Sequence, residues 1–233
     1  MLIKYSRIVK LILAAVIIWV IQAQYLEAAD PDRWEDTIAG FEEADRLDPP
    51  PDGVIIFTGS SSIRRWESLA RDMAPLPVIN RGFGGSEIAD LVRYADRLIT
   101  CHKPSAVVIF CGGNDINRGK SPETVASDFH QLTEIVRVEH PGTPIFYISI
   151  RPTLKQWDAR NSHIAANRLI RQFCERETGV EYIDIWNQFL DPATGNPKPK
   201  YFVEDRVHMS RAGYLLWSEI IKPLLVGVVE RSN

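Results

Sequence analysis

Val54-Ile55-Ile56-Phe57-Thr58-Gly59-Ser60-Ser61-Ser62 joins four consecutive apolar residues to a glycine and three serines. A short run that is apolar at every position reads as a strand buried on both faces, and glycine lets the chain turn sharply after it. The stretch therefore delivers a serine hydroxyl to a strand-to-helix bend. Four further runs rich in Val, Ile and aromatic residues follow at 78–79, 106–111, 145–150 and 182–185. Helical patterns separate them at 62–71, 86–100, 122–139 and 161–178, with a last one at 211–226 and another, 34–47, before the first strand. Such alternation predicts an α/β chain with a five-stranded parallel sheet between two helix layers, because right-handed crossovers place helices on both faces. Ser121 before Pro122, Gly179 after the fourth intervening helix and Ser210 before the last one agree with these boundaries. Residues 191–200, with Pro192, Gly195, Pro197 and Pro199, read as a surface loop.

At 233 residues, 45% hydrophobic and 24% charged, the chain can bury one substantial core. A net charge of -3 with no basic cluster excludes a nucleic-acid binder, which needs a cationic face for phosphates. Lys4, Arg7 and Lys10 precede the apolar residues 11–21, and the following residues 22–29 end in the small Ala28 and Ala29. This pattern predicts an export signal over residues 1–29 and a domain over 30–233, periplasmic or secreted, since a membrane span needs about 20 apolar residues. The alternative is an uncleaved N-terminal membrane anchor. Cys101, Cys111 and Cys174 are odd in number and lack C-x-x-C spacing, so no disulfide framework is implied. Cys111 and Cys174 read as buried thiols, with a single bridge left open. The five histidines form no ligand set, and neither metal nor organic cofactor is expected.

In an open parallel sheet, ligands bind beyond the carboxyl ends of the strands. Three motifs fall there: Ser61 after the first run, Gly82-Phe83-Gly84-Gly85-Ser86 after the second, and Gly112-Gly113-Asn114-Asp115 after the third. Glycine N–H groups and an asparagine amide are the neutral donors a tetrahedral oxyanion needs. Asp205-Arg206-Val207-His208 supplies an acid and an imidazole, which a weakly nucleophilic serine hydroxyl requires. Taken singly, each piece has an ordinary reading as a cap, a tight turn or a solvated pair. A dinucleotide loop fails because Glu87 stands where G-x-G-x-x-G needs its last glycine.

With the four blocks in order, the sequence resembles the SGNH hydrolases, the GDSL-type esterase and lipase superfamily, from Val54 to Leu225. The resemblance makes Ser61 the nucleophile, with Asp205 and His208 completing a triad. Ser61 and Gly85 backbone N–H groups and the Asn114 amide then form the oxyanion hole. Ser60 stands where the family has Asp, which leaves three consecutive serines and Ser62 as the fallback nucleophile. The pattern is most similar to the branch of platelet-activating-factor acetylhydrolase catalytic subunits, which implies a flavodoxin-like three-layer α/β/α sandwich.

What the resemblance implies is a serine esterase that cleaves acyl or acetyl esters of a small molecule or a glycan. Its rivals are a carbohydrate O-deacetylase with the same catalytic residues and a non-catalytic carbohydrate-binding protein on this scaffold. Arg151, Pro152 and Trp157 follow the fourth strand and either wall the substrate pocket or form a plain loop anchored by a buried tryptophan. Arg81 and Arg118 adjoin the expected site and either attract an anionic substrate or are simply solvated.

Overall fold

A computed structural model of the chain describes residues 33–232, with side chains to residue 227. The described residues fall in two units, 33–39 and 40–232, and helix α1 (Glu35–Leu47) begins in the first. The expected export signal or anchor at residues 1–29 lies outside the described residues. Among the described residues no helix is long and apolar enough to cross a membrane.

The second unit is built on β1 (Ile55–Gly59), β2 (Val78–Gly82), β3 (Ala106–Phe110), β4 (Ile145–Ile148) and β5 (Val180–Ile183). They pair in the order β2-β1-β3-β4-β5, and every pairing is parallel. This is the flavodoxin-like doubly wound order, in which the chain changes direction across the sheet between β1 and β3. The central strands β1, β3 and β4 are buried at every residue, whereas edge strand β5 exposes Glu181. That gradient explains why the central apolar runs were legible and the edges less so: β2 continues through polar Asn80 and Arg81, and β5 starts two residues before the run at 182–185.

Successive residues of a strand point to opposite faces. One face, carrying Ile55, Phe57, Val108, Phe110, Phe146 and Ile148, packs on α2 (Ser61–Arg64), α3 (Leu69–Met73) and the long C-terminal helix, with Trp66 and Trp217 fully buried between them. Trp217 meets Phe110 at 4.8 Å and Trp66 at 5.6 Å between ring centroids. The opposite face meets α4 (Ile88–Arg93), α5 (Gly113–Asn117), α6 (Pro122–Glu139) and α7 (Arg160–Cys174), where Phe129 lies against Tyr147 at 4.7 Å. The C-terminal helix is α8 (Arg211–Ser232).

Three helix expectations are corrected. The helix expected at 62–71 is split into α2 and α3, because Trp66 turns into the core, stacks on Tyr214 and donates its indole N–H to Asp72 at 2.8 Å. The one expected at 86–100 is α4 followed by a π-helical turn (Asp96–Thr100), and it starts late because Glu87 and Asp90 form a reciprocal capping box. Helix α7 stops four residues short of 178, where Arg137 holds the connecting turn by donating to Glu177 and to the Thr178 carbonyl. The caps agree better: Ser121 accepts from Thr124 N–H ahead of Pro122, and Ser210 Oγ accepts weakly from Gly213 N–H. Cys111 and Cys174 are buried, Cys101 is exposed, and all three are free thiols.

Candidate active site

The register brings the ends of the first three strands together, since Gly59 lies beside both Gly82 and Phe110. Gly59 has φ +133°, and a Cβ there would sit 2.0 Å from the Phe110 carbonyl oxygen, so no other residue fits this turn. Ser60 N–H donates to that same carbonyl at 3.0 Å and anchors the bend. Of the three serines, Ser60 and Ser62 are buried, while Ser61 is half-buried at the first position of α2. Ser61 Oγ lies 2.8 Å from His208 Nε2. Ser62 Oγ points elsewhere and accepts from the Arg151 guanidinium at 3.2 Å.

His208 comes from a tight turn in which Arg206 takes the left-handed conformation, φ 62°. Asp205 organises that turn: its Oδ1 accepts from the Val207 and His208 N–H groups at 2.9 and 2.8 Å, and its Oδ2 lies 2.6 Å from His208 Nδ1. Partial burial pushes the Asp205 carboxyl up, but the hydrogen bonds from His208 backbone and ring and from Val207 outweigh it, holding the group well below the usual carboxylate range. Arg65 stands 3.6 Å from the same carboxylate. Serine hydroxyl, imidazole and carboxylate thus form one hydrogen-bonded line.

The expected backbone donors are the amides of Ser61, at the start of α2, and of Gly85, in the glycine loop. Among the described residues, neither the Ser61 nor the Gly85 N–H donates to a protein acceptor. Gly85 has φ +81°, a left-handed geometry that favours glycine. Asn114 sits half-buried on α5 and fixes its amide by donating to the Ser86 carbonyl at 2.9 Å, which leaves a second N–H. Asp115, fully buried, is a strut: it accepts from Ile88 N–H at 3.2 Å and from Lys120 Nζ at 3.0 Å, tying the α5 turn to the glycine loop.

A pocket of about 40 Å³ opens beside Ser61, lined by Asn114, Asn117, Arg151, Gln156, His163 and other residues. A far larger groove of about 420 Å³ lies among Asp45, Pro51, Asp52, His102 and Lys103, beside the turns that enter β1 and β3, and contains none of the expected site residues. Of the expected site residues, Ser61 and Asn114 line the small pocket.

The expectation about Arg81 is corrected. Arg81 is buried beneath the sheet edge, ion-paired with Asp45 and covered by the Phe41 ring at 5.2 Å, so it is neither solvated nor turned to substrate. Arg118 is exposed, in keeping with the solvated reading, and donates to Glu87 at 2.6 Å and the Gly85 carbonyl at 2.9 Å, bracing the glycine loop. After β4, Arg151 does line the pocket, whereas Trp157 is half-buried outside it and stacks on Trp186 at 6.2 Å.

His163 was missed. It is 1% exposed, lines the pocket, and among the described residues its Nε2 has no hydrogen-bond partner. Burial first, then the Arg151 charge, push its imidazole down to about 4, so it is neutral at neutral pH. Asn167, one turn further along α7, donates to the Ile150 carbonyl and accepts from Ile150 N–H, both at 2.8 Å. The available signal was two polar residues on the inward stripe of α7, where Ala166, Ile170 and Phe173 are the packing residues.

The family model described as GDSL-like Lipase/Acylhydrolase matches residues 49–216. Comparison with curated proteins finds no match. Among solved structures, a Streptococcus pneumoniae protein provisionally assigned as a platelet activating factor is similar at 19% identity and TM-score 0.75, covering 91% of this chain and 99% of its own. A GDSL-like lipase from Bacteroides thetaiotaomicron is similar at 16% identity and TM-score 0.71, covering 85% and 98% respectively. A carbohydrate esterase family 3 protein from Talaromyces cellulolyticus is similar at 18% identity and TM-score 0.62, covering 77% and 99%. At these identities the likeness is one of fold.

Proposed function

The chain belongs to the GDSL-like lipase/acylhydrolase family and is a carboxylic ester hydrolase, and from that premise we propose that it works through Ser61, His208 and Asp205 by a two-step acyl transfer. The observation that carries this reading is the line of contacts from Ser61 Oγ through the imidazole to the Asp205 carboxylate, 2.8 and 2.6 Å long. His208 Nε2 takes the hydroxyl proton as Ser61 Oγ attacks the ester carbonyl. Asp205 holds the ring in the tautomer with its proton on Nδ1 and stabilises the imidazolium. His208 then returns the proton to the leaving alcohol, and water repeats the sequence on the acyl-enzyme. The Ser61 and Gly85 N–H groups and the free Asn114 N–H receive the oxyanion.

The Asn114 assignment has its own test. Asn114→Ala is expected to lower kcat by about 10² to 10³, the usual loss for one oxyanion donor. A folded Asn114→Ala protein with the parental kcat on p-nitrophenyl acetate removes this residue from the mechanism.

Pocket size bears on the acyl group. A small pocket of about 40 Å³ walled by Asn117, Gln156 and His163 suits a short acyl chain such as acetyl. A glycan alcohol is favoured by a second feature, a groove of about 340 Å³ along β5 and α7 lined by Trp186, Tyr182, Asn187 and Arg168, with Trp157 stacked on Trp186. Flat aromatic faces beside polar side chains suit sugar rings, and one of the fold's relatives above is a carbohydrate esterase. On this reading Trp186→Ala reduces kcat/KM for an acetylated xylooligosaccharide about tenfold more than it does for p-nitrophenyl acetate, a difference of about 1.4 kcal/mol. Equal losses on both substrates return the preference to small esters.

A further inference from the structure

Arg151, just beyond β4, is 3% exposed. Among the described residues its guanidinium has no carboxylate within 4.0 Å, and its Nε and Nη1 have no hydrogen-bond partner. Burying a cation without a counter-ion is expensive, and a packed apolar residue is often as stable or more so. Stability alone therefore does not account for this residue.

Its surroundings are specific. Three rings enclose the guanidinium, with centroids 5.9 Å away for Phe110, 6.0 Å for Phe189 and 5.4 Å for Phe202, so their π faces supply part of the missing negative charge. Nη2 makes the polar contacts, donating at 2.6 Å to the Val207 carbonyl and at 3.2 Å to Ser62 Oγ. Val207 precedes His208 and Ser62 follows Ser61. Tyr214 closes the far side by donating to the Ser62 carbonyl at 2.9 Å.

We propose that Arg151 is the positioning residue of this hydrolase, a buried clamp that holds the His208 turn and the Ser61 turn at hydrogen-bonding distance. The proposal rests on the assignment of Ser61 and His208 as nucleophile and base. The need for a clamp is geometric. The two turns come from opposite ends of the chain, and the base-bearing one contains a left-handed Arg206, which has other conformations open to it. A misplacement of about 1 Å between nucleophile and base is enough for a loss on the order of 10² in rate. Burial, partly offset by Tyr214 and Asp205, lowers the Arg151 guanidinium only to about 10, so it is charged at neutral pH.

Kinetics on p-nitrophenyl acetate at 25 °C, with Tm measured alongside, test this in the full chain. Arg151→Met fills the aromatic cage without the hydrogen bonds, and Arg151→Lys keeps the charge and stem but loses the planar fork. Expected is a fall in kcat of about 100-fold for Met and about tenfold for Lys, with KM within twofold of the parent in both. That split, with the conservative variant partly rescuing, is not what a merely structural role produces. Parental kcat in either folded variant, even with a lowered Tm, overturns the proposal. So does a raised KM at unchanged kcat, which makes Arg151 a substrate contact. Ser61→Ala run beside them separates the two ideas: parental turnover there sinks the nucleophile assignment and this role with it, whereas parental turnover in Arg151→Lys sinks this role alone.

Discussion

Ser61→Ala should lower kcat on p-nitrophenyl acetate by on the order of 10⁶, while Ser60→Ala and Ser62→Ala stay within about tenfold of the parent. The contrast follows from where three adjacent hydroxyls point. Ser61 Oγ meets the imidazole at 2.8 Å, Ser62 Oγ is held by Arg151, and Ser60 is buried at the N-terminal cap of α2. A serine without a base is a poor nucleophile, and two of the three have none in reach. Removing the Ser61 hydroxyl takes away one partly exposed hydrogen bond, so Tm should change little and the loss should read as chemistry. Retention of more than a tenth of the parental rate in a folded Ser61→Ala protein, with loss in Ser62→Ala, would move the nucleophile by one position.

His208→Ala is expected to cost a similar factor, because nucleophile and base act as a unit and removing either is about as damaging as removing both. Neutral imidazole is the form that accepts the serine proton. Asp205 keeps it oriented: the hydrogen bonds its carboxylate accepts hold that group below the usual carboxylate range, so it is ionised at neutral pH. Parental kcat on p-nitrophenyl acetate in a folded His208→Ala protein would refute His208 as the base.

Much of this architecture was legible because burial leaves its mark locally. Residues 54–57 and 106–110 are apolar at every position because β1 and β3 are covered on both faces, and the glycine-bearing motifs follow at the strand ends because only there must the backbone turn within one or two residues. Edge strands escaped clean reading, since β5 exposes Glu181 and β2 carries polar Asn80 and Arg81, which find partners within the protein. Helix continuity was overread around Trp66, where a core-directed indole interrupts a pattern that local periodicity would carry on to residue 71.

The site divides along the same line. Ser61, Gly85, Asn114, Asp205 and His208 were singled out by four motifs in order and by the family those motifs resemble, since acyl transfer needs such groups at strand ends. Their mutual geometry was beyond any local reading. Partners 147 residues apart in the chain, such as Ser61 and His208, meet only because the sheet order and α8 return the C-terminal turn to the end of β1. The arginines show the limit most sharply. From sequence, Arg81 and Arg118 only adjoin the expected site, and Arg151 is either a pocket wall or part of a plain loop. The fold pairs Arg81 with Asp45, gives Arg118 to Glu87, and buries Arg151 among three aromatic rings in contact with Ser62 and Val207. The sequence by itself determined the sheet and the chemical groups at its edge. Tertiary structure alone decided which charge is paired, which is buried and which serine faces the imidazole, because those outcomes depend on distances between segments that share no local pattern.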